Sequence, residues 1–247
     1  KRYNSAVVIT LLFCYNHLIK NCAMSSGGIG LRYLGGLLQE FDLDMLYQVL
    51  LRLAAVLLCL TVHETSHGLA AYALGDSTAK RQHRLSLNPL HHIDWFGLVA
   101  MMLCGFGWAK PVPVDPRYFK KPKQGMALTA LAGPVSNFIL AFLLLLGGRL
   151  VLYHAPYTEF WQGALQFLLT TAMLSVGLGV FNLIPLPPLD GSKVAAVLLP
   201  DRIYDQLMRY ESLGMVLLAV LVWLGIGDGV MSRAMDAVFR FMMNLVF

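Results

Sequence analysis

Residues 45–74 read MLYQVLLRLAAVLLCLTVHETSHGLAAYAL, a run dominated by Leu, Ala and Val. As a helix with a rise of about 1.5 Å per residue, this run is long enough to cross a hydrocarbon layer of about 30 Å. Within it stands the polar stretch His63-Glu64-Thr65-Ser66-His67, and ionisable side chains at such a depth are costly unless they serve a site. The run therefore predicts a membrane-spanning helix that carries a functional motif.

The composition of the whole chain agrees with a membrane protein. Of 247 residues, 57% are hydrophobic and only 13% are charged, about half the charged fraction of an average soluble domain. This excludes a soluble globular protein. The net charge of +5 does not indicate a nucleic-acid partner, because the basic residues lie between apolar runs, where they set membrane orientation. The four cysteines form no C-x-x-C pair and suggest no disulfide framework.

Three further apolar runs predict membrane spans, and two shorter segments predict other structures. Trp95 to Trp108 is too short to cross as a helix and predicts a re-entrant loop or β-hairpin. The tail 230–247 carries its apolar residues at helical spacing with two arginines among them, which favours an interfacial helix. The fold class is thus an α-helical polytopic membrane protein with about four core transmembrane helices, predicted at 45–74, 126–152, 160–184 and 213–226.

The first residues form a segment of uncertain standing. Ala6 to Tyr15 is an apolar stretch behind two basic residues, typical of a signal-peptide core or of an extra short spanning helix. Residues 1–23 are therefore not assigned to the domain that the rest of the chain forms. Both interpretations of them stay open.

Basic residues predict the orientation of the helices. They are concentrated between the first and second predicted spans, and by the positive-inside tendency this connection lies in the cytoplasm. His63 lies 18 residues after Met45, so the motif is expected toward the cytoplasmic side of the bilayer. The basic residues concerned are Lys80, Arg81, Arg84, Lys110, Arg117, Lys120, Lys121 and Lys123.

The motif from His63 to His67 has the pattern H-E-x-x-H. On a helix, two imidazoles four residues apart lie on one face and can bind a single zinc ion, while the Glu between them lies beside the open coordination position. Such a zinc ion lowers the pKa of a water toward neutrality, and Glu64 is the candidate to accept the proton.

A catalytic zinc needs a third protein ligand, and Asp190 is the best candidate. It follows an apolar span that three prolines interrupt, and Gly191 permits a tight turn that could direct the carboxylate back into the protein. The alternative is a helix-end turn with Asp190 in water. Cys59, one turn before His63, is a rival ligand, although a packing role suits a cysteine in a span better.

Five ordered motifs between about Leu50 and Pro200 give the chain a resemblance to a known family. The sequence is similar to the site-2 protease family of intramembrane zinc metalloproteases, and to its compact bacterial-type members without PDZ or CBS domains. The motifs are HETSH at 63–67, NPLHHID at 88–94, GFGWAKPVPV at 105–114, AGPVSN at 132–137 and NLIPLPPLDG at 182–191.

The resemblance implies a zinc metalloendopeptidase with one zinc per chain. Its ligands would be His63, His67 and Asp190, and Glu64 would be the catalytic carboxylate. Residues 24–247 would form one intramembrane metalloprotease domain in the cell membrane of a prokaryote, embedded in the lipid bilayer and acting on single-span membrane proteins. The residues implied to bind substrate are Gly105, Gly107, Asn137 and Asn182.

Two positions depart from the family pattern, and two other functions compete with proteolysis. Trp95 stands where the family pattern leads us to expect Pro, and Asp115 where Asn is common, which affects the entry loop and leaves the metal site intact. Asn137 could also form a helix-to-helix hydrogen bond. The competing functions are a divalent-metal transporter, disfavoured because the other spans offer mainly Asn137 and Asn182, and a non-catalytic membrane scaffold, disfavoured because Glu64 is present.

Overall fold

The architecture comes from a computed structural model that describes residues 43–94, 110–200, 202–203, 214, 217–218, 220–221, 224 and 227–247. Within these residues the chain consists of helices joined by turns. The helices are α1 (Leu43–Ala73), α2 (Thr78–Arg81), α3 (Pro122–His154), α4 (Glu159–Asn182), α5 (Asp190–Ala195) and α6 (Asp228–Val246), with short 3-10 turns at Pro89–His91, Pro116–Tyr118 and Ala196–Leu198.

Three helices, α1, α3 and α4, are long and apolar enough to cross a membrane, which confirms three of the predicted spans. The predicted re-entrant segment Trp95 to Trp108, with Gly105 and Gly107, lies outside the described residues, as do residues 1–23 and most of the predicted span 213–226.

Local sequence explains where these helices end. After α1 the chain enters Gly75 with a φ of +109°, a left-handed conformation that glycine adopts without strain. Pro122 occupies the first turn of α3, where its missing N–H costs no helical hydrogen bond. Helix α4 stops at Asn182, three residues before Pro185, since proline disfavours a helical conformation in the residue before it.

The long helices pack through small residues at their contacts. Ala55 and Cys59 of α1 meet Leu174 and Leu178 of α4, and Ala141 of α3 lies in a cluster with residues of α4 and α6. Lipid chains are as apolar as leucine, so close contact between small residues, more than water exclusion, holds such helices together. The outer face of α3 carries exposed large apolar side chains suited to lipid: Leu128, Val135, Ile139, Leu143, Leu146 and Leu150.

Helix α6 packs along α3 and α4. Met231 and Met235 near its start are buried with Phe181 of α4, and Val246 near its end is buried with Leu145 of α3. The Arg149 guanidinium donates a hydrogen bond to the carbonyl of Val246 and fixes the end of the helix. The helical spacing of the tail is therefore as predicted, and its place at the membrane interface stays a prediction.

Candidate metal centre

Helix α1 places His63, Glu64 and His67 inside the helix bundle. The two imidazole rings lie edge to face with centroids 4.5 Å apart, as expected for positions i and i+4 of one helix. All three side chains are buried, with 1% of His63, 1% of Glu64 and 5% of His67 exposed. Three ionisable groups thus share one water-poor region, an arrangement typical of a functional site.

The chain after α4 brings Asp190 to these histidines. Residues 183–189 turn back between α4 and α5, and Asp190 begins α5 with its carboxylate buried. Its Oδ2 atom lies 3.1 Å from Nε2 of His63 and 3.2 Å from Nε2 of His67. A Cβ atom on Gly191 would lie 2.2 Å from the carbonyl oxygen of Leu183, so the turn requires a residue without a side chain there.

Helix α3 determines which nitrogen of each imidazole carries its proton. Nδ1 of His67 lies 2.7 Å from the carbonyl oxygen of Thr129, which can only accept, so this nitrogen is the donor and Nε2 is left with a free lone pair. Nδ1 of His63 lies 3.1 Å from Nδ2 of Asn137, and Oδ1 of the same amide has no hydrogen-bond partner among the described residues. When the amide turns so that Oδ1 accepts a hydrogen bond from Nδ1 of His63, Oδ1 gains a partner. The proton of the imidazole then lies on Nδ1, and His63 also presents an unprotonated Nε2.

Two unprotonated Nε2 atoms and a carboxylate oxygen then face one another. The ligand atoms of His63, His67 and Asp190 all lie within 4.8 Å of one another. A tetrahedral zinc with ligands at about 2.0 Å has ligand-to-ligand edges of about 3.3 Å, close to the two distances measured to Asp190. Without a cation or a proton between them these lone pairs would repel, so the donor set fits a zinc ion.

Electrostatics keep Asp190 ionised. Burial raises the pKa of its carboxyl, but while the imidazoles carry protons on Nε2, the charge on His67 and the hydrogen bonds from both rings outweigh burial and lower that pKa below its ordinary value. Farther out, burial lowers the pKa of the Arg84 guanidinium, and the negative charge of Glu64 partly opposes that effect. Asp190 is therefore the anionic ligand of the group, and the two imidazoles become neutral ligands when the protons on Nε2 leave.

Glu64 lies next to the ligand group without belonging to it. Its Oε2 accepts a hydrogen bond of 3.0 Å from the backbone N–H of Val112, and its Oε1 has no hydrogen-bond partner among the described residues. On the opposite side, Gly133 of α3 contacts both rings, because a Cβ there would lie 2.5 Å from His67 and 2.6 Å from His63. Backbone at Val112, Thr129 and Gly133 thus shapes the site.

Other predicted residues lie in different settings. Asn182 is fully buried, and its Nδ2 donates to the carbonyl of Leu178 at 2.9 Å. The Cys59 thiol faces the carbonyl of Thr171 at 3.7 Å, away from the ligand group. Among the described residues, His63, His67 and Asp190 are the one group of three or more suitable side chains that could hold a metal, so no second ligand set marks a transport path there.

Known proteins resemble this chain over the regions that carry the site. Residues 146–224 match peptidase family M50. The chain is 42% identical to YwhC of Bacillus subtilis, named as a zinc metalloprotease, over 72% of this chain and 82% of that protein. It is 32% identical to Rip2 of Mycolicibacterium smegmatis, also named as a zinc metalloprotease, over 58% of this chain and 54% of Rip2. No solved structure matches significantly.

Proposed function

Because the chain belongs to peptidase family M50, the site-2 protease family, and is a zinc metalloprotease with membrane-spanning helices, we propose that it cuts other membrane proteins within or beside their transmembrane segments. The observation that carries this proposal is the burial of the metal-ligand group inside a bundle of long apolar helices. A peptide bond can reach such a site from the bilayer more directly than from water.

His63, His67 and Asp190 would hold the zinc ion, with one ion per chain. When bound, zinc supplies a Lewis acid that lowers the pKa of a water and polarises the peptide carbonyl. The protein contributes the dry surroundings, and α3 would hold the proton on Nδ1 of each imidazole, through the carbonyl of Thr129 for His67 and, with the amide turned, through Oδ1 of Asn137 for His63. Partners of this kind orient ligating histidines and raise their basicity.

Glu64 would act as the general base and then as the general acid. One of its oxygens is held by Val112 N–H, and the other is without a partner among the described residues, so that oxygen can accept a proton from water. The same carboxyl group then returns a proton to the nitrogen of the leaving amine. Its burial at 1% exposure keeps bulk water from competing for this proton.

Substrate binding would require local unwinding of a helix. Peptide carbonyls of a transmembrane helix are engaged in internal hydrogen bonds, so a segment must become extended before attack. We assign the edge around Gly105 and Gly107 to pairing with that extended segment by β-addition. Asn137 and Asn182 are assigned to substrate binding, with Asn137 near the scissile bond, where its amide would contact the substrate only on leaving His63.

The proposed setting is the cell membrane of a prokaryote with the site toward the cytoplasm. Basic residues between α1 and α3 support this orientation by the positive-inside tendency, and single-span membrane proteins are the proposed substrates. Residues 24–247 would act as one domain.

Comparison of wild-type protein with Glu64→Gln tests the proposed function. Gln keeps the size of Glu but cannot accept the proton, so we expect zinc content and folding to persist while cleavage falls on the order of 100- to 10,000-fold. In membrane proteomics of cells that produce each form, specific single-span proteins should accumulate uncut only with Glu64→Gln. Identical membrane proteomes, together with equal cleavage by both purified forms, would overturn the proposal.

A further inference from the structure

The segment 110–115, Lys-Pro-Val-Pro-Val-Asp, has no regular secondary structure, contacts α1 and is called the proline segment below. Pro111 and Pro113 restrict its φ angles and have no N–H. The N–H groups of Lys110, Val112 and Asp115 each bind a separate acceptor, which fixes the segment at its start, middle and end. The acceptors are the carbonyl of His92 at 2.8 Å, Oε2 of Glu64 at 3.0 Å and Oδ2 of Asp76 at 2.7 Å.

The middle contact involves the buried carboxylate of Glu64. A buried carboxylate is costly without a hydrogen-bond donor, and Val112 N–H is the donor described for Glu64. A bond from a fixed backbone donor to Oε2 restricts rotation of the carboxylate plane and thereby determines where Oε1 lies. Because its neighbours are both prolines, Val112 has little freedom to turn its N–H elsewhere.

Packing holds the proline segment against the same helix that carries Glu64. A Cβ atom at Gly68, four residues after Glu64, would lie 3.1 Å from Cγ1 of Val112. Val112 itself is 7% exposed. Its N–H and its side chain therefore contact two successive turns of α1, so that displacement of the proline segment would disturb the carboxylate.

We propose that the backbone N–H of Val112 is a positioning group that holds Glu64 in its reactive orientation, so that the proline segment controls the general base without touching the metal ligands. This inference rests on the proposed role of Glu64. A purely structural role would predict a loss of stability or zinc when the N–H is removed. A positioning role predicts a lower kcat with zinc content and KM retained.

Hydrogen exchange tests the contact without any substrate. A proteolytic peptide covering 110–114 reports the amides of Val112 and Val114 alone, because prolines have none and the first amide of a peptide exchanges rapidly. In the full-length protein, Val112 should be protected in wild type and in Glu64→Gln, which keeps an acceptor oxygen. In Glu64→Ala its exchange should accelerate on the order of 10- to 100-fold. Unchanged exchange in Glu64→Ala would overturn the contact, whether or not the protein is a protease.

Proline substitution tests the effect on catalysis. Val112→Pro removes the N–H within a backbone that already carries prolines, Val114→Pro places the same residue two positions away, and Val112→Ala retains the N–H. With a quenched-fluorescent transmembrane peptide as the probe, Val112→Pro should lose on the order of 100-fold in kcat with zinc and KM retained. Val112→Ala should retain most of the wild-type rate, and Val114→Pro should lose far less of it than Val112→Pro.

The results with these variants distinguish the proposed protease function from the proposed positioning role of Val112. Equal cleavage by wild type and Glu64→Gln would refute the proposed function. If Glu64→Gln is inactive while Val112→Pro and Val114→Pro share the same kcat, the positioning role is wrong. Should Val112→Pro fail to accumulate as folded protein, exchange in Glu64→Ala still tests the contact on which the positioning role depends, and unchanged exchange there overturns that role.

Discussion

Replacing Gly133 by alanine adds a single methyl group where α3 contacts both zinc-binding candidates of α1. The new Cβ would lie 2.5 Å from Cε1 and Nε2 of His67 and 2.6 Å from Cε1 of His63, whereas ordinary contacts begin at 3.4 Å. The imidazoles or α3 must therefore move by about 0.9 Å, the difference between 3.4 and 2.5 Å. Metal–ligand distances in zinc sites stay within about 0.2 Å of their usual values, and this shift is several times larger than that range.

We expect Gly133→Ala to weaken zinc binding on the order of 10- to 100-fold and to lower cleavage accordingly. Gly147→Ala is the matched control in the same helix, because among the described residues its Cβ would come within 4 Å of Leu168 alone, at 3.8 Å. Both substitutions gain about 1 kcal/mol of helix propensity, so the difference between them isolates the contact with the rings.

The assay is zinc content after dialysis against graded chelator concentrations, measured with thermal stability and cleavage on the same samples. Gly133→Ala should release zinc at lower chelator concentration than wild type and Gly147→Ala. If all three proteins retain zinc equally and cleave equally, the reasoning about α3 and the imidazoles is refuted.

Two further substitutions test the ligand group. His67→Ala should lose most of the one zinc per chain, since two remaining ligands bind zinc weakly, and metal analysis showing full occupancy would remove His67 from the ligand set. Gly191→Ala should lower both zinc content and thermal stability, because its Cβ would meet the backbone carbonyl oxygens of Leu183 and Ile184 at 2.2 and 2.5 Å. The control is Gly163→Ala, whose Cβ would lie 3.5 Å from the hydroxyl of Tyr47, and it should change neither property.

The long helices could be predicted from sequence because length and hydropathy determine them. The predicted spans 45–74, 126–152 and 160–184 correspond to helices that begin or end within four residues of those limits. The motif from His63 to His67 was sufficient to predict a shared helix face. Asp190 could be proposed from the prolines before it and the glycine after it, and the structure places its carboxylate beside both imidazoles.

The backbone contributions could not be predicted in the same way. Val112 acts through an N–H and Thr129 through a carbonyl, and these groups occur in every non-proline residue, so no residue type marks them. Asn137 was assigned to substrate by resemblance, whereas its amide lies on His63 in the structure; the substrate contact stays a prediction. The edge at Gly105 and Gly107 lies outside the described residues.

A spacing in α3 nevertheless carries a signal of the site. Thr129, Gly133 and Asn137 are four residues apart, so they occupy successive turns of one helix face, as do His63 and His67 on α1. Thr129 meets His67, Asn137 meets His63, and Gly133 lies between them, which shows that the two helices run antiparallel along this contact. The carbonyl of Thr129, the space at Gly133 and the amide of Asn137 therefore follow along α3 in the order that matches the rings of His67 and His63. Because one rigid helix face orients both imidazoles, a change of side chain at Gly133 or Asn137 should alter metal affinity before it alters the fold, whereas a substitution at Thr129 keeps the carbonyl that contacts His67.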